Sequence, residues 1–115
     1  MKKELKESAA LSYRKGSLHV YRMEGMNWAK SEIARMIKRK DVKGNLADVI
    51  KGADVFIGLS SKGVLNRQTV ASMAKGPIVF ALVNPVPEIH PDMAKKAGAM
   101  VVATGRSDFP NQVNN

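Results

Sequence analysis

Three short apolar stretches decide the fold: Asp-Val-Phe-Ile-Gly-Leu at residues 54–59, Ile-Val-Phe-Ala-Leu-Val at 78–83 and Met-Val-Val-Ala-Thr at 100–104. Each is apolar almost throughout, which is typical of strands that are buried on both faces of a sheet. Amphipathic segments of roughly three turns or less separate the strands, and these connections are long enough for right-handed crossovers. We therefore expect an α/β fold in three layers, with a parallel sheet covered by helices on both faces.

Helix boundaries around these strands are marked by capping residues. Asparagine accepts hydrogen bonds from the first free backbone N–H groups of a helix, and proline is favoured as the first helical residue. Glycine favours the end of a helix because it adopts the left-handed conformation without strain. We expect four helices: about eleven residues from Asn27, a short one over 46–51 after Asn45, one over 67–75 after Asn66, and one that opens at Pro91 and closes at Gly98.

The composition is that of a small domain without disulfide or thiolate chemistry. Its 115 residues, 44% of them hydrophobic, suffice for one domain with a core. The absence of cysteine excludes disulfide scaffolds, thiolate zinc sites, iron–sulfur clusters and cysteine nucleophiles. No apolar run approaches the roughly 20 residues of a membrane span, and the charged N-terminus lacks the apolar core of a signal peptide. We expect a cytoplasmic protein without a membrane partner.

The net charge of +9 is concentrated in the first half of the chain. Residues 1–51 carry thirteen of the nineteen Lys and Arg residues but only six of the ten acidic residues. Such a segment fits either a polyanion partner such as nucleic acid or the solvated face of helices. The three Phe, two Tyr and one Trp are not interleaved with the basic cluster, so the stacking platform of a single-strand binder is missing. A basic, non-catalytic fragment that contacts a polyanion is the alternative function.

Three loops follow the predicted strands at their carboxyl ends, where ligands bind in open parallel sheets. They span residues 59–63, 84–88 and 105–110, and each is rich in Gly, Pro and short polar side chains. Such loops let backbone groups and amides approach a ligand closely, which suits a polar small molecule with hydroxyls or carboxylates. Three loops of this composition at one edge indicate a binding site rather than ordinary turns.

Familiar nucleotide and metal motifs are absent or incomplete. Residues 58–63 have the glycine spacing of a phosphate loop, but Val64-Leu65 stands where that loop requires Lys followed by Ser or Thr. Neither histidine has a partner at ligand spacing, and we interpret His90 as a helix-start residue rather than a metal ligand. Glu88 and Asp92 lie in a loop and at a helix start, where the helix dipole favours acidic residues.

Four segments carry a specific resemblance to a known family. They are Ala53-Asp-Val-Phe-Ile-Gly-Leu-Ser60, Ile78-Val-Phe-Ala-Leu-Val-Asn-Pro85, Glu88-Ile89 and Val101-Val-Ala-Thr-Gly-Arg-Ser-Asp-Phe-Pro-Asn-Gln-Val-Asn-Asn115. Together they resemble the NAD-binding domain of bacterial-type malic enzymes, nearly without gaps from about Tyr13 onward. The resemblance implies that residues 1–115 form part of a Rossmann-like NAD(P)-binding domain.

The activity implied by the resemblance is that of an NAD(P)-dependent malate dehydrogenase (decarboxylating). Such enzymes convert malate to pyruvate and CO2 with NAD or NADP and a divalent metal, Mg or Mn. Amides suit their substrate site because they orient hydroxyls and carboxylates without adding charge beside a hydride acceptor. The resemblance implies two sets of binding residues: Gly58, Leu59, Ser60, Ser61 and Asn84 for the dinucleotide, and Asn84, Asn114 and Asn115 for the substrate.

Parts of the family pattern are missing from this sequence. The general acid/base Tyr and Lys and the metal-binding acids lie upstream in the family, so we expect no catalytic residue, no metal ligand and no turnover by this chain alone. Residues 1–12 diverge from the expected strand. Tyr13 stands where the family has an acidic residue for the adenine ribose, which leaves NAD and NADP undistinguished. We expect a fragment, truncated at both ends, whose uncovered core surface favours homo-oligomerisation.

Overall fold

A computed structural model describes residues 12–13, 16–17, 27–36, 43–59 and 61–113 of the chain. The chain divides into two compact units, Met1–Val49 and Ile50–Asn115. Across the described ranges, no helix is both long enough and apolar enough to cross a membrane.

The first unit holds a short strand pair and two helices. Its described elements are β1 (Ser12–Tyr13), paired antiparallel with β2 (Gly16–Ser17), α1 (Trp28–Met36) and α2 (Leu46–Val49). Both helices begin directly after a predicted asparagine cap, and α2 ends two residues before the predicted end.

The second unit is built on a three-stranded parallel sheet. Its elements are β3 (Val55–Gly58), α3 (Arg67–Ala71), β4 (Ile78–Ala81), α4 (Pro91–Lys96) and β5 (Val101–Thr104). The strands are hydrogen-bonded in the order β3-β4-β5, so strands that are consecutive in sequence are neighbours. This confirms the α/β fold and the parallel sheet within the three apolar stretches.

Side-chain caps start the helices at the predicted positions. The side-chain oxygen of each capping asparagine accepts a hydrogen bond from the backbone N–H three residues later, at 2.9 Å for Asn27, 3.1 Å for Asn45 and 2.9 Å for Asn66. The Nδ1 atom of His90 accepts from the backbone N–H of Asp92 at 3.3 Å. Each contact satisfies a backbone donor that the first turn of a helix leaves free, and His90 is thereby confirmed as a helix-start residue.

One face of the sheet forms the core of the second unit. Val79, Ala81 and Val102 are at most 2% exposed, and Val70 of α3 and Ala94 of α4 are buried to the same degree. The two helices contact each other, and α4 contacts β5. Because apolar burial is the dominant favourable contribution to folding, this packing fixes the strand ends from which the loops emerge.

The opposite face of the sheet carries apolar side chains that are partly exposed. Val55, Ile57 and Val101 point there by the alternation of strand side chains and are 47%, 60% and 45% exposed. Ala103 lies on the same face by this alternation but is only 5% exposed, so part of this face is covered as well. The helix layer on each face of the sheet stays a prediction.

The helix α3 is shorter than its sequence predicts. After Ala71, the carbonyl of Ser72 accepts from the N–H of Gly52 at 2.9 Å, and the N–H of Ala74 donates to the carbonyl of Ala53 at 3.0 Å. The segment that follows α3 therefore pairs with the chain that enters β3, and this tertiary pairing ends the helix four residues before position 75.

Candidate functional site

The loops that follow β3 and β4 are joined by backbone hydrogen bonds. The N–H of Gly63 donates to the carbonyl of Pro87 at 3.1 Å, and the N–H of Leu65 donates to the carbonyl of Glu88 at 3.1 Å. All four residues lie outside the strands, so these bonds join the loops themselves and fix the distance between them. The two loops therefore form one continuous wall at the carboxyl edge of the sheet.

Two side chains join the loop after β4 to the loop after β5. The Nδ2 atom of Asn84 donates to the carbonyl of Gly105 at 3.2 Å, and the Nη1 atom of Arg106 donates to the carbonyl of Pro85 at 2.5 Å. The peptide bond between Asn84 and Pro85 is cis. The middle loop is thus held on both sides, and the three predicted loops meet at one edge of the sheet.

An ion pair within the loop after β5 holds Arg106 in place. Its Nε atom donates to Oδ1 of Asp108 at 2.7 Å, and its Nη2 atom donates to Oδ2 of the same carboxylate. These hydrogen bonds raise the pKa of the Arg106 guanidinium and lower the pKa of Asp108. The ring of Phe109 lies 5.0 Å from the guanidinium carbon and meets His90 edge to face at 5.3 Å. Arg106 therefore links the loop after β5 to the loop after β4 and is not a free cation for a ligand.

The chain beyond this loop returns to the end of β5. The N–H of Thr104 donates to the carbonyl of Asn111 at 2.9 Å, and the N–H of Val113 donates to the carbonyl of Thr104 at 2.7 Å. The residue that precedes the two predicted substrate asparagines is thereby fixed near the same edge. Asn114 and Asn115 themselves lie outside the described residues.

The residues predicted to line the dinucleotide differ in accessibility. Leu59 is 71% exposed, Ser61 is partly exposed, and Asn84 is exposed beside the contact it makes with the third loop. Gly58, the last residue of β3, is buried. Ser60 lies outside the described residues. The accessible members of this set therefore lie on the loops and not on the strand.

Glu88 is a residue of this edge that sequence reasoning did not select. Its side chain is fully buried, Oε2 accepts from the N–H of Val83 at 3.2 Å, and Oε1 has no hydrogen-bond partner. A Cβ atom built on Gly58 would lie 2.5 Å from the carboxyl carbon of Glu88. The sequence signal was the following residue, Ile89, which is of a type that is most often buried. Ile89 and Pro87, the two neighbours of Glu88 in sequence, are both buried.

The acidic groups at this edge do not fit a divalent metal. Within the part of the chain that the structure describes, no group of three or more His, Cys, Asp or Glu side chains could hold a metal ion. Asp108 is engaged by Arg106, and the Glu88 carboxylate has no accessible surface. The described residues therefore offer no ligand set for Mg2+ or Mn2+, which prefer several oxygen ligands at one point.

Curated proteins with similar sequences are malic enzymes, although no family model matches the chain. It is 55% identical over 101 residues to the bifunctional malic/malolactic enzyme of Bacillus subtilis (strain 168), a match that covers 88% of this chain and 25% of that enzyme. It is 54% identical over 84 residues to the NAD-dependent malic enzyme of Geobacillus stearothermophilus, covering 73% and 17%. For the NADP-dependent malic enzyme of Halomonas elongata the identity is 46% over 110 residues, covering 95% and 25%. The chain spans a quarter or less of the length of these relatives.

Solved structures give the same result for the fold. The NAD-dependent malic enzyme of Thermotoga maritima superposes with a TM-score of 0.81 at 46% identity, covering 86% of this chain and 26% of that one. The malic enzyme of Entamoeba histolytica superposes with a TM-score of 0.79 at 43% identity, covering 91% and 23%. Both similarities extend over most of the chain.

Proposed function

This chain is a homologue of the malic enzymes over about a quarter of their length, and we propose that its joined loops bind a nicotinamide dinucleotide together with malate. The reaction served is the oxidative decarboxylation of malate to pyruvate and CO2. The observation that carries the proposal is the meeting of three polar loops at the carboxyl edge of β3, β4 and β5, where parallel sheets bind ligands. Asn84 lies between the outer two loops and is accessible.

Asn84 is the proposed contact to the substrate or to the nicotinamide ribose. Its Nδ2 atom donates to Gly105 at 3.2 Å, and this bond orients the amide and leaves Oδ1 to accept a hydrogen bond from a ligand hydroxyl. A neutral amide is suited to this position because it orients a hydroxyl without placing a charge beside the hydride acceptor. Asn114 and Asn115 complete the proposed substrate set.

The dinucleotide is proposed to lie along the loop after β3. Leu59 offers an exposed apolar surface, and Ser61 offers a hydroxyl beside it. Curated relatives include both NAD- and NADP-dependent enzymes, so the proposal covers either dinucleotide. Residues 1–115 are proposed as part of the NAD(P)-binding domain. We propose that the general acid, the general base and the Mg or Mn ligands of the reaction are not among residues 1–115.

Two further properties are proposed for the protein in the cell. The partly exposed apolar side chains of Val55, Ile57 and Val101 support assembly into a homo-oligomer, because exposed apolar surface of this kind favours association. The proposed compartment is the cytoplasm, since the reaction draws on a diffusible nicotinamide cofactor.

The activity is tested on the intact enzyme of which we propose this chain to be a part. Malate, Mn2+ and either NAD or NADP are supplied, and reduced nicotinamide and pyruvate are measured together. We expect both products in equal amounts with at least one of the two dinucleotides. Absence of both products, together with no saturable binding of either dinucleotide, would contradict the proposal.

The 115-residue chain by itself separates binding from turnover. We expect no pyruvate from it, but NAD titration should move the backbone amide resonances near Gly58 and Asn84. A steeply salt-dependent shift of DNA or RNA in a gel, without such NAD-induced changes, would instead favour the polyanion alternative.

A further inference from the structure

Glu88 links two of the three loops from inside the protein. We propose that it is a positioning residue, which fixes the Asn84 turn relative to the end of β3 without touching the ligand. The inference rests on the proposed function for its effect on ligands. Its structural part stands on the contacts of the buried carboxyl group alone.

The carboxyl group of Glu88 lies between the ends of two strands. On one side Oε2 accepts from the N–H of Val83, the residue directly before Asn84. On the other side the group fills the space beside Gly58, where a Cβ would come within 2.5 Å of its carboxyl carbon. The end of β3 and the start of the Asn84 turn are therefore both in contact with one carboxyl group.

The backbone reinforces the same connection. The carbonyl of Glu88 accepts from the N–H of Leu65, and the N–H of Leu82 donates to the carbonyl of Gly58 at 3.2 Å. The main chain of Glu88 thus holds the far part of the first loop, while its side chain holds the near part of the second. No other residue that the structure describes combines these two contacts at this edge.

A direct ligand contact is excluded by burial. The side chain has no exposed surface, so it acts on a bound molecule only through the position of Val83 and Asn84. Its Oε1 atom is buried without a partner, and a buried acceptor of this kind carries a large desolvation cost.

The test compares Glu88→Gln, which keeps the shape and an acceptor for Val83, with Glu88→Ala, which removes both. Asp54→Asn is the matched control. It also removes one negative charge, but Asp54 is exposed and lies directly before β3, at the opposite end of that strand from Gly58. Each variant is made in the intact enzyme of which we propose this chain to be a part. Dinucleotide binding, the KM for malate and kcat are measured together with a thermal melt and the Val83 amide resonance.

We expect Glu88→Gln and the Asp54 control to keep kcat/KM within about threefold of wild type. Glu88→Ala should lower kcat/KM by about tenfold to a hundredfold, mainly through KM, because misplacement of contact groups by 1 Å costs rates of this order. The Val83 amide resonance should move in the Ala variant. If that variant does not fold, Glu88→Asp, which retracts the carboxylate by one methylene, should show the same losses in smaller measure.

Two results would overturn the inference. One is a folded Glu88→Ala or Glu88→Asp variant with wild-type kinetics; the other is an unchanged Val83 resonance in either variant. A wild-type protein that binds no dinucleotide would instead contradict the proposed function, and the Val83 resonance would still decide whether Glu88 fixes the turn. The two failures are therefore distinguishable.

Discussion

The side-chain amide of Asn84 donates a hydrogen bond to the carbonyl oxygen of Gly105 at 3.2 Å, although the two residues are 21 positions apart in sequence. The bond exists because β4 and β5 are parallel neighbours in register, which places the residues after Ala81 and Thr104 side by side. Asn84, which we propose as a contact to the substrate, is thereby held by the loop after β5.

Replacing Asn84 with Ala should impair catalysis more than stability. In the intact enzyme of which we propose this chain to be a part, we expect kcat/KM for malate to fall by about a hundredfold, because loss of the amide misplaces the substrate relative to the dinucleotide. Steady-state kinetics and thermal melts on the same samples provide the measurement. A lowered melting temperature with normal kinetics would show that Asn84 only stabilises its turn. The sequence predicts a solvated helix end at Lys38, Arg39 and Lys40, which lie outside the described residues. Alanine at any of these three positions should change neither quantity.

Replacing Asn115 with Ala tests the second substrate amide. We expect a strong rise in the KM for malate, or a fall in turnover, with the protein folded, because this residue matches one of the paired asparagines of the family. Asn111→Ala is a nearby control, since Asn111 contributes its backbone carbonyl to Thr104 and alanine keeps that group. Equal kinetics in the Asn115 and Asn111 variants would remove Asn115 from the site.

Replacing Arg106 should loosen two loops at once. Arg106→Lys keeps the charge but cannot reproduce the two-point contact with Asp108 and the bond to Pro85 together. We expect both Lys and Ala variants to raise the KM for malate by about tenfold, with the Asn84 side-chain amide resonances displaced. Arg67→Ala, at the exposed first position of α3, serves as the control. Wild-type KM in Arg106→Ala would show that this link between the loops has no part in the site.

The Arg106–Asp108 pair should respond to acid. The pKa of Asp108 is lowered in the folded chain by its hydrogen bonds to Arg106, so its stabilising contribution is complete above the unfolded pKa of about 3.9. That contribution is lost as the pH falls through the lower folded pKa. Carboxyl carbon resonances should give a midpoint for Asp108 below about 3.9, and Arg106→Ala should return it upward. An equal midpoint in both proteins would refute the pair in solution.

Replacing Gly58 with Ala should destabilise the second unit. The added Cβ would lie 2.5 Å from the carboxyl carbon of Glu88 and 2.7 Å from Cε1 of Phe56, so neighbouring groups must move. Overpacking of this kind costs about 1–3 kcal/mol, and urea unfolding measures it. Lys62→Ala, at an exposed position of the following loop, should leave the free energy of unfolding unchanged. An equally small effect of both changes would contradict the observed packing.

Local sequence was sufficient for the elements themselves. Apolar stretches such as 78–83 contain the strands because burial of side chains such as Val79 in the sheet is favourable. Asn66 starts α3 because its oxygen reaches the N–H of Thr69, three residues away in the same chain segment. The order of polar loops after strands likewise predicted one binding edge, since parallel strands carry their carboxyl ends to the same side.

Only tertiary structure decided how that edge is held together. Glu88 reads as an ordinary loop acid in the sequence, yet it is buried because the space beside Gly58 is free of a side chain. Arg106 reads as one cation among many, yet it reaches the carbonyl of Pro85 across 21 residues. Contacts of this kind depend on the register of β4 against its neighbours, which no local pattern contains. Sequence therefore determined where the strands and helix starts lie, and packing between distant segments determined which side chains position the site.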